Sequence, residues 1–148
     1  SSMIQDLTRT LTVQHLPKEQ HALLRKFYRK HNSPMRITQA AQTWVVRSPH
    51  IIAGVCLSPV EHGFWLTSLL TDPLHRKQGM ARLLIVHIQT THQGSPIWLF
   101  CHPNLYSFYA RLCFTQAQHL PQALSSRLQR YQQSKSLIAM YHSQQPTI

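Results

Sequence analysis

Residues 69–81 of this 148-residue chain read Leu-Leu-Thr-Asp-Pro-Leu-His-Arg-Lys-Gln-Gly-Met-Ala, and the fold prediction starts from them. They follow an apolar run over residues 64–70, typical of a strand, and precede a long amphipathic stretch. The pattern therefore predicts a strand, a short basic turn and a helix with Gly79 in its first turn. The first backbone N–H groups of a helix lack internal partners and carry partial positive charge, so this arrangement predicts an anion site.

Two common phosphate-binding motifs are absent from the sequence, which limits the kinds of anion that this site could bind. A dinucleotide-binding turn requires three glycines in G-x-G-x-x-G, and a P-loop requires G-x-x-x-x-G-K followed by Ser or Thr. The whole chain has four glycines, and neither pattern occurs. Gly79 has no Cβ and lets a phosphate group approach the backbone, while Arg76, Lys77 and Arg82 add positive charge. From these residues alone, an ordinary basic helix terminus is the alternative explanation.

The turn over residues 76–81 resembles the R-x-x-G-x-G/A turn of the GNAT acetyltransferase superfamily. In that family the turn follows an L-x-V-x-P strand end and wraps the pyrophosphate of acetyl-CoA. Here Thr71 stands where the family usually has Val, ahead of Pro73. The resemblance implies acetyl-CoA as co-substrate and no metal. The cofactor-binding residues that it implies in this stretch are Leu69, Leu70, Thr71, Arg76, Lys77, Gln78, Gly79, Met80, Ala81 and Arg82.

A second segment, over residues 104–114, resembles the family's segment in which an Asn precedes an aromatic-Tyr pair and a Gly-Phe pair follows. The resemblance implies that Asn104 contacts the pantetheine arm of acetyl-CoA. It also implies that Tyr109 is catalytic and lies near the thioester sulfur. Cys113 stands where the family has Gly before Phe114, so the turn there must adapt. Taken alone, a tyrosine on an apolar helical stripe is more often part of the core.

Periodicity predicts alternating strands and helices along the chain. The predicted strands cover residues 8–13, 40–46, 51–57, 64–70, 97–101 and 136–141. The predicted helices cover residues 23–31, 80–88, 105–113 and 124–131, and a turn is predicted at residues 58–63. This order predicts the α/β class, with an α+β mixed sheet.

Together with the resemblance, the element order implies a GNAT-like acyl-CoA N-acyltransferase fold. Its central sheet would be mostly antiparallel, with helices on both faces, in a single domain over residues 1–148. Ser1 and Ser2, which resemble an expression scar ahead of Met3, are left out of the fold prediction.

The charge balance is strongly basic, with 15 Lys and Arg residues against 4 Asp and Glu residues. A net charge of +11 attracts phosphate-rich partners and would bind nucleic acid at low salt. The chain lacks the glycine-aromatic, zinc-finger and basic-stripe signatures of nucleic-acid-binding modules. Such a module is therefore an alternative from charge alone and is not favoured. An acetyltransferase acting on an RNA-attached amine or a ribosomal protein would combine both functions.

Cysteine and histidine usage gives no sign of a metal. Cys56, Cys101 and Cys113 lie in apolar segments without regular spacing, which disfavours a disulfide framework or a zinc site. The eleven histidines do not pair with acidic residues at metal-ligand spacing. No apolar run approaches the roughly 20 residues of a membrane span, and no signal-peptide pattern is visible. We therefore expect a cytoplasmic protein with no membrane partner, as a monomer or homodimer.

Acetyl transfer to an amine requires a neutral nucleophile, a polarised carbonyl and a proton for the departing thiolate. A backbone N–H at the splayed end of the strand over residues 64–71 could hold the carbonyl. The Tyr109 hydroxyl could protonate the thiolate or stabilise it by hydrogen bonding. The candidates for the general base, all of them weak, are Glu61, Asp72, Ser68 and a water chain with His62 or His75.

The shortage of carboxylates limits which amine can serve as the acetyl acceptor. We expect residues 14–36 and 115–135 to form the part of the site that binds this acceptor. A lysine-like amine costs about 4.6 kcal/mol to deprotonate at pH 7, against about 1 kcal/mol for an α-amino group. A base-poor, positive protein therefore suits a small-molecule, peptide or protein amine that deprotonates easily or carries negative charge, and disfavours a polycation. A non-catalytic sensor that only binds acetyl-CoA is a further alternative.

Overall fold

The computed structural model describes residues 11–76 and 78–143, and within these ranges the chain forms seven strands and four α-helices. The strands are β1 (Thr12–Leu16), β2 (Gln42–Arg47), β3 (Ile51–Val60), β4 (Gly63–Thr71), β5 (Ile97–Cys101), β6 (Thr115–Gln116) and β7 (Ile138–His142). The helices are α1 (His21–Lys30), α2 (Met80–Thr91), α3 (Tyr106–Ala110) and α4 (Gln122–Gln132). Short 3-10 turns cover Lys18–Gln20, Pro73–His75 and Pro103–Leu105. No helix in the described ranges is both long and apolar enough to cross a bilayer.

The first predicted strand ends later than the sequence indicates. β1 runs to Leu16, because its pairing with β2 continues through Gln14 and His15 although these two residues break the β-branched pattern. Residues 8–10 of the predicted strand lie outside the described residues. Cross-strand pairing, which a local pattern does not contain, therefore sets the end of this strand.

Two other predicted boundaries are wrong. β3 continues to Val60, where it pairs with Gly63, so the turn predicted over residues 58–63 comprises only Glu61 and His62. The helix predicted over residues 105–113 is the five-residue α3. β6 was not predicted, since two exposed residues carry no periodicity. The other predicted elements are confirmed, with ends shifted by a few residues.

The seven strands form one mixed sheet in the order β1-β2-β3-β4-β5-β7-β6. Every neighbouring pair is antiparallel except β4 and β5, which are parallel. The connection between these two strands is α2, as the crossover of a parallel pair requires. The predicted fold class, a mostly antiparallel mixed sheet, is confirmed.

β4 and β5 pair over only part of their length. Phe64, Trp65 and Leu66 face Ile97, Trp98 and Leu99, and no further pairing of these two strands follows. β4 nevertheless stays paired with β3 as far as Thr71, and β5 stays paired with β7 as far as Cys101. The sheet therefore opens between β4 and β5 beyond Leu66.

Each face of the sheet carries its own apolar cluster. On one face, Leu84, Ile85 and Ile88 of α2 are fully buried against strand residues such as Val55. On the other face, α1 is buried against β2 and β3 through Leu24, Phe27 and Tyr28. α4 covers the same face as α1. Phe64 and Leu66 of β4 pack on the α2 side, so Trp65 between them points to the opposite face, where Arg127 of α4 lies over its ring. Helices therefore lie on both faces, as predicted.

Gly63 lies where the parallel pair begins, and we expect Gly63→Ala to lower the free energy of unfolding by about 1–3 kcal/mol. A Cβ at this position would overlap the carbonyl oxygen of Pro96, which accepts the Phe64 N–H at 2.9 Å, and would lie 2.9 Å from Trp98 Cζ3. Urea unfolding measures the loss.

The matched control is Gly94→Ala. A Cβ at Gly94 meets no atom within 4 Å, but the backbone there is left-handed (φ 85°), so we expect a loss of about 1 kcal/mol from conformation alone. If Gly63→Ala lowered the free energy of unfolding no more than Gly94→Ala does, the contacts of the new Cβ with Pro96 and Trp98 would not be the cause of the loss.

Candidate active site

A cleft of about 590 Å³ lies at the carboxyl end of β4, where the sheet opens. It is bounded by the last residues of β4, the turn before α2, the first turn of α2, and α3 with the residue before it. The lining residues are Leu69, Leu70, Thr71, His75, Arg76, Gly79, Met80, Ala81, Arg82, Leu105, Phe108 and Tyr109.

The N-terminus of α2 is open to this cleft. Gly79 is the N-cap residue, with left-handed backbone (φ 80°), and its carbonyl oxygen accepts the Leu83 N–H at 2.9 Å. No side chain of the described residues caps the free N–H groups of the first turn. A Cβ at Gly79 would meet no atom within 4 Å, so the backbone is accessible there. With Arg76 and Arg82 in the lining, this helix end presents N–H donors and two cations to an anionic ligand.

The turn between β4 and α2 is held by Asp72. Its carboxylate accepts the Leu74 N–H at 2.9 Å. The same carboxylate lies 3.8 Å from Nε2 of His31, the residue that directly follows α1. Asp72, one of the candidates for the general base, therefore braces this turn. A carboxylate used as a cap is not oriented for proton transfer in the cleft, and Asp72 is not among the lining residues.

A bulge interrupts β4 just before it reaches the cleft. Cys56 pairs with Thr67 and Gly54 pairs with Leu70, so Val55 alone opposes both Ser68 and Leu69. Ser68 has a φ of 58°, in the left-handed region that non-glycine residues rarely adopt. An extra residue on one strand bends that strand and redirects its backbone groups.

The backbone beyond the bulge directs N–H groups into the gap between β4 and β5. Asp72 donates its N–H to the Ile52 carbonyl oxygen of β3 at 2.7 Å. Because the backbone groups of successive residues point to opposite edges of a strand, the N–H of Thr71 points to the other edge, as does that of Leu69. Pairing with β5 has ended by then, at Leu66. These N–H groups are therefore in position to donate to a ligand carbonyl.

Tyr109 belongs both to the core and to the cleft. It is 7% exposed, and its ring contacts Phe108 and Phe114 at centroid distances of 5.0 and 5.8 Å. Burial, with a smaller contribution from the nearby Cys101 thiol, raises the pKa of Tyr109 to about 12. The two explanations that the sequence left open for this residue are thus compatible. Its hydroxyl keeps its proton at neutral pH and can donate it.

Most of the residues implied by the resemblance line the cleft, but two of those that the structure describes do not. Asn104 is exposed, and its side-chain oxygen lies 2.8 Å from His102 Nδ1 within the Pro103–Leu105 turn. Gln78 is exposed and lies 3.2 Å from His75 Nδ1. Lys77 lies outside the described residues. Sequence reasoning did not assign Leu105 or Phe108 to the site, although both share a helical stripe with Tyr109, which was the signal available.

Cys113 occupies the position of the family's glycine, and the structure shows how the turn adapts. Cys113 adopts a left-handed backbone with a φ of 71°, and the Phe114 N–H closes the turn by donating to the Tyr109 carbonyl oxygen at 3.1 Å. The side chain is exposed, unlike the buried Cys56 and Cys101. The helix predicted as far as residue 113 ends at Ala110, so Cys113 lies beyond it.

The cleft contains no carboxylate among its described lining residues. Glu61 lies at the far end of β4 and lines a different pocket, with Trp65 and Arg127. Ser68 donates its hydroxyl to the Arg36 carbonyl oxygen at 3.2 Å. Among the base candidates only His75 lines the cleft. Over residues 11–76 and 78–143, no three His, Cys, Asp or Glu side chains come together as a metal site would require.

Comparison with solved structures identifies the fold. The Escherichia coli ribosomal-protein-S18-alanine N-acetyltransferase matches with a TM-score of 0.69 at 15% identity, over 92% of this chain and 96% of that chain. Arabidopsis thaliana Naa50 in complex with the bisubstrate analogue CoA-Ac-MVNAL matches with a TM-score of 0.65 at 10% identity, over 90% and 99%. A GNAT-family acetyltransferase from Staphylococcus aureus matches with a TM-score of 0.59 at 12% identity, over 91% and 99%.

Sequence comparison adds no relative to these structural matches. No protein-family model matches the chain. No curated protein matches its sequence. At identities of 10–15% the structural matches establish the fold alone, and the chain has the fold of the GNAT N-acyltransferases.

Proposed function

We propose that this protein is an N-acetyltransferase that transfers the acetyl group of acetyl-CoA to a primary amine by direct attack in a ternary complex. The observation that carries the proposal is the uncapped N-terminus of α2, which opens beside Arg76 and Arg82 into a cleft at the β4–β5 gap. The accessible backbone of Gly79 fits a pyrophosphate, which its neighbours would neutralise. Acetyl-CoA would supply the activated acetyl group.

Several residues of the cleft then have a defined task. The first turn of α2, with both arginines, would bind the pyrophosphate, and the N–H groups of Leu69 and Thr71 would donate to the thioester carbonyl. In the transfer, the acceptor nitrogen would form a bond to the acetyl carbon and lose a proton to solvent water, while the carbon–sulfur bond would break. The Tyr109 hydroxyl would give the thiolate its proton and regain one from solvent.

The acceptor that suits this site is an amine that is already easy to deprotonate. No described carboxylate lines the cleft, and deprotonation at pH 7 costs about 4.6 kcal/mol for a lysine-like amine against about 1 kcal/mol for an α-amino group. Two matched structures support a peptide or protein acceptor, since one is described as a ribosomal-protein-S18-alanine N-acetyltransferase and the other holds the bisubstrate analogue CoA-Ac-MVNAL. We therefore favour an α-amino group of a small molecule, peptide or protein over a polyamine.

Two measurements test the proposal. Calorimetric titration should show micromolar binding of acetyl-CoA and weaker binding of 3′-dephospho-acetyl-CoA and ATP. Release of free CoA thiol should then depend on an added amine from a panel of amino acids, peptides and spermidine. Absence of acetyl-CoA binding would refute the acetyltransferase, binding without turnover by any amine would favour the sensor, and preference for spermidine would refute the proposed acceptor class.

A basic groove supports nucleic-acid binding as a second candidate function. The groove, of about 300 Å³, lies between α1 and the β2–β3 hairpin, with Lys26 and Lys30 on one side and Arg47 and His50 on the other. Among the described residues, the carboxylate ion pairs are those of Asp72 and Glu61, and both are with histidines, so these cations have no acidic partner. Unpaired cations around a concave surface attract a phosphate backbone.

We expect the triple variant Lys26→Gln, Lys30→Gln and Arg47→Gln to weaken binding of a single-stranded RNA about tenfold or more at low salt. Loss of three phosphate contacts would also reduce the slope of log K against log salt by about 2. Fluorescence anisotropy across a salt series measures both quantities.

The matched control carries Arg111→Gln, Arg130→Gln and Lys135→Gln, which remove the same charge from exposed positions away from the groove. Equal loss in the two triple variants would show that net charge alone binds the RNA. The groove would then have no function of its own.

A further inference from the structure

We infer that Tyr28 is a positioning residue, which holds the β4 bulge in the shape that aims backbone N–H groups at the acyl carbonyl. This inference rests on the proposed function and assigns to it a residue from the opposite face of the sheet. Tyr28 lies on α1, is 1% exposed and does not line the cleft. It would therefore act on the reaction only through the backbone of β4.

The contact is a single well-formed hydrogen bond across the sheet. Tyr28 Oη donates to the Ser68 carbonyl oxygen at 2.7 Å, and Cys56 Sγ of β3 lies 3.7 Å from the same hydroxyl. Burial first, and then Cys56, raises the pKa of Tyr28 far above its usual value. The hydroxyl therefore keeps its proton at neutral pH and is able to donate it.

Ser68, whose carbonyl oxygen accepts this hydrogen bond, has an unfavourable backbone conformation that must be stabilised by its surroundings. Ser68 is held at a φ of 58°, a conformation that is unfavourable for a residue with a Cβ and persists only where its surroundings impose it. Its own hydroxyl donates to the Arg36 carbonyl oxygen at 3.2 Å, in the segment after α1. The bulge is thus tied at two points to the α1 side of the sheet.

The consequence for the cleft follows from the geometry of a bulge. Ser68 and Leu69 together oppose Val55, and this extra residue decides in which direction the following N–H groups point. Without the tether, Ser68 can relax toward extended backbone, and the N–H groups of Leu69 and Thr71 lose their alignment in the gap. A misplacement on the order of 1 Å can reduce a reaction rate about 100-fold.

The testing variant is Tyr28→Phe, which keeps the buried ring and removes only the hydroxyl. We expect kcat to fall about 10- to 100-fold, with the KM for the acceptor and the affinity for CoA changed less than about twofold. The advantage of acetyl-CoA over CoA in binding should shrink, because only the acetyl group contacts the bulge. The control is Tyr141→Phe on β7, which removes a tyrosine hydroxyl on a strand that β5 separates from β4 and should leave all these quantities unchanged.

Rescue distinguishes positioning from packing. Glycine adopts a left-handed backbone without a Cβ penalty, so Ser68→Gly in the Tyr28→Phe background should recover part of the lost kcat. Hydrogen exchange of the amides of residues 69–71 should rise in Tyr28→Phe and fall again in the double variant.

The outcomes separate this inference from the proposed function. If wild type fails to bind acetyl-CoA, the proposed function is refuted, and the role of Tyr28 with it. If wild type binds and turns over acetyl-CoA while Tyr28→Phe retains its kcat, the inference alone is overturned. Equal loss of affinity for CoA and acetyl-CoA, with no rescue by Ser68→Gly, would also overturn it, since that result describes a packing defect.

Discussion

Replacing Gly79 by Glu is expected to weaken acetyl-CoA binding by at least about 100-fold. The new carboxylate would stand at the uncapped N-terminus of α2, where it would satisfy the free N–H groups and repel the pyrophosphate, and like-charge contacts cost several kcal/mol. The side chain has room, because no atom lies within 4 Å of a Cβ at this position. The loss would therefore come from the cleft itself, and calorimetric titration measures it.

Gly94→Glu is the matched control for this prediction. Gly94 lies in the turn after α2, has nearly the same left-handed backbone (φ 85° against 80°) and also has open space around a Cβ. The two variants share the same change in charge and the same backbone strain. If Gly94→Glu weakened acetyl-CoA binding as much as Gly79→Glu, the α2 terminus would not be the pyrophosphate site.

Replacing Tyr109 by Phe is expected to lower kcat by about 100-fold or more, the usual contribution of a positioned general acid. The change keeps the ring contacts with Phe108 and Phe114, so acetyl-CoA affinity and thermal stability should stay close to wild type. Steady-state kinetics at saturating acceptor measures the effect. Tyr106→Phe is the control on the same helix, since Tyr106 is 42% exposed and does not line the cleft. An unchanged kcat for Tyr109→Phe would remove Tyr109 from the mechanism.

The pKa of Tyr109 sets the pH dependence of the same reaction. Because burial raises this pKa to about 12, Tyr109 keeps its proton through the alkaline range and remains able to donate it. The rate at subsaturating acceptor should rise with pH as the amine loses its proton, then level off. A fall on the alkaline side with a midpoint near the ordinary tyrosine pKa of about 10 would contradict this assignment.

The parts of the site that could be predicted from the sequence are those built from neighbouring residues. Arg76, Gly79 and Arg82 all lie within one turn of the start of α2. The sequence predicts that helix from the strand pattern and the proline before it and from its own amphipathic pattern. Capping, glycine conformation and helical periodicity act over a few residues, so they can be recognised without knowing the fold. Tyr109 could also be predicted as a site residue. Only the resemblance of residues 104–114 to the family's second motif distinguished it from an ordinary core tyrosine.

The parts that could not be predicted depend on contacts between distant residues. Asn104 has the right spacing, yet its side chain turns to His102 within its own turn. The sequence places Tyr28 within the helix predicted over residues 23–31 and gives it no further role. Its bond to Ser68 spans 40 residues, and a left-handed serine within a strand has no sequence signal. The groove cations are likewise scattered along the chain until α1 and the β2–β3 hairpin bring them together.

By itself the sequence determined the order of most strands and helices, the basic turn before α2 and the net charge of +11. The tertiary structure alone decided where β4 and β5 part, where β4 bulges and which side chains border the resulting gap. Local preferences are fixed by steric and hydrogen-bonding rules within one turn of chain. The gap exists because β4 remains paired with β3 while β5 remains paired with β7, and such pairing between distant strands is settled only when the whole sheet assembles.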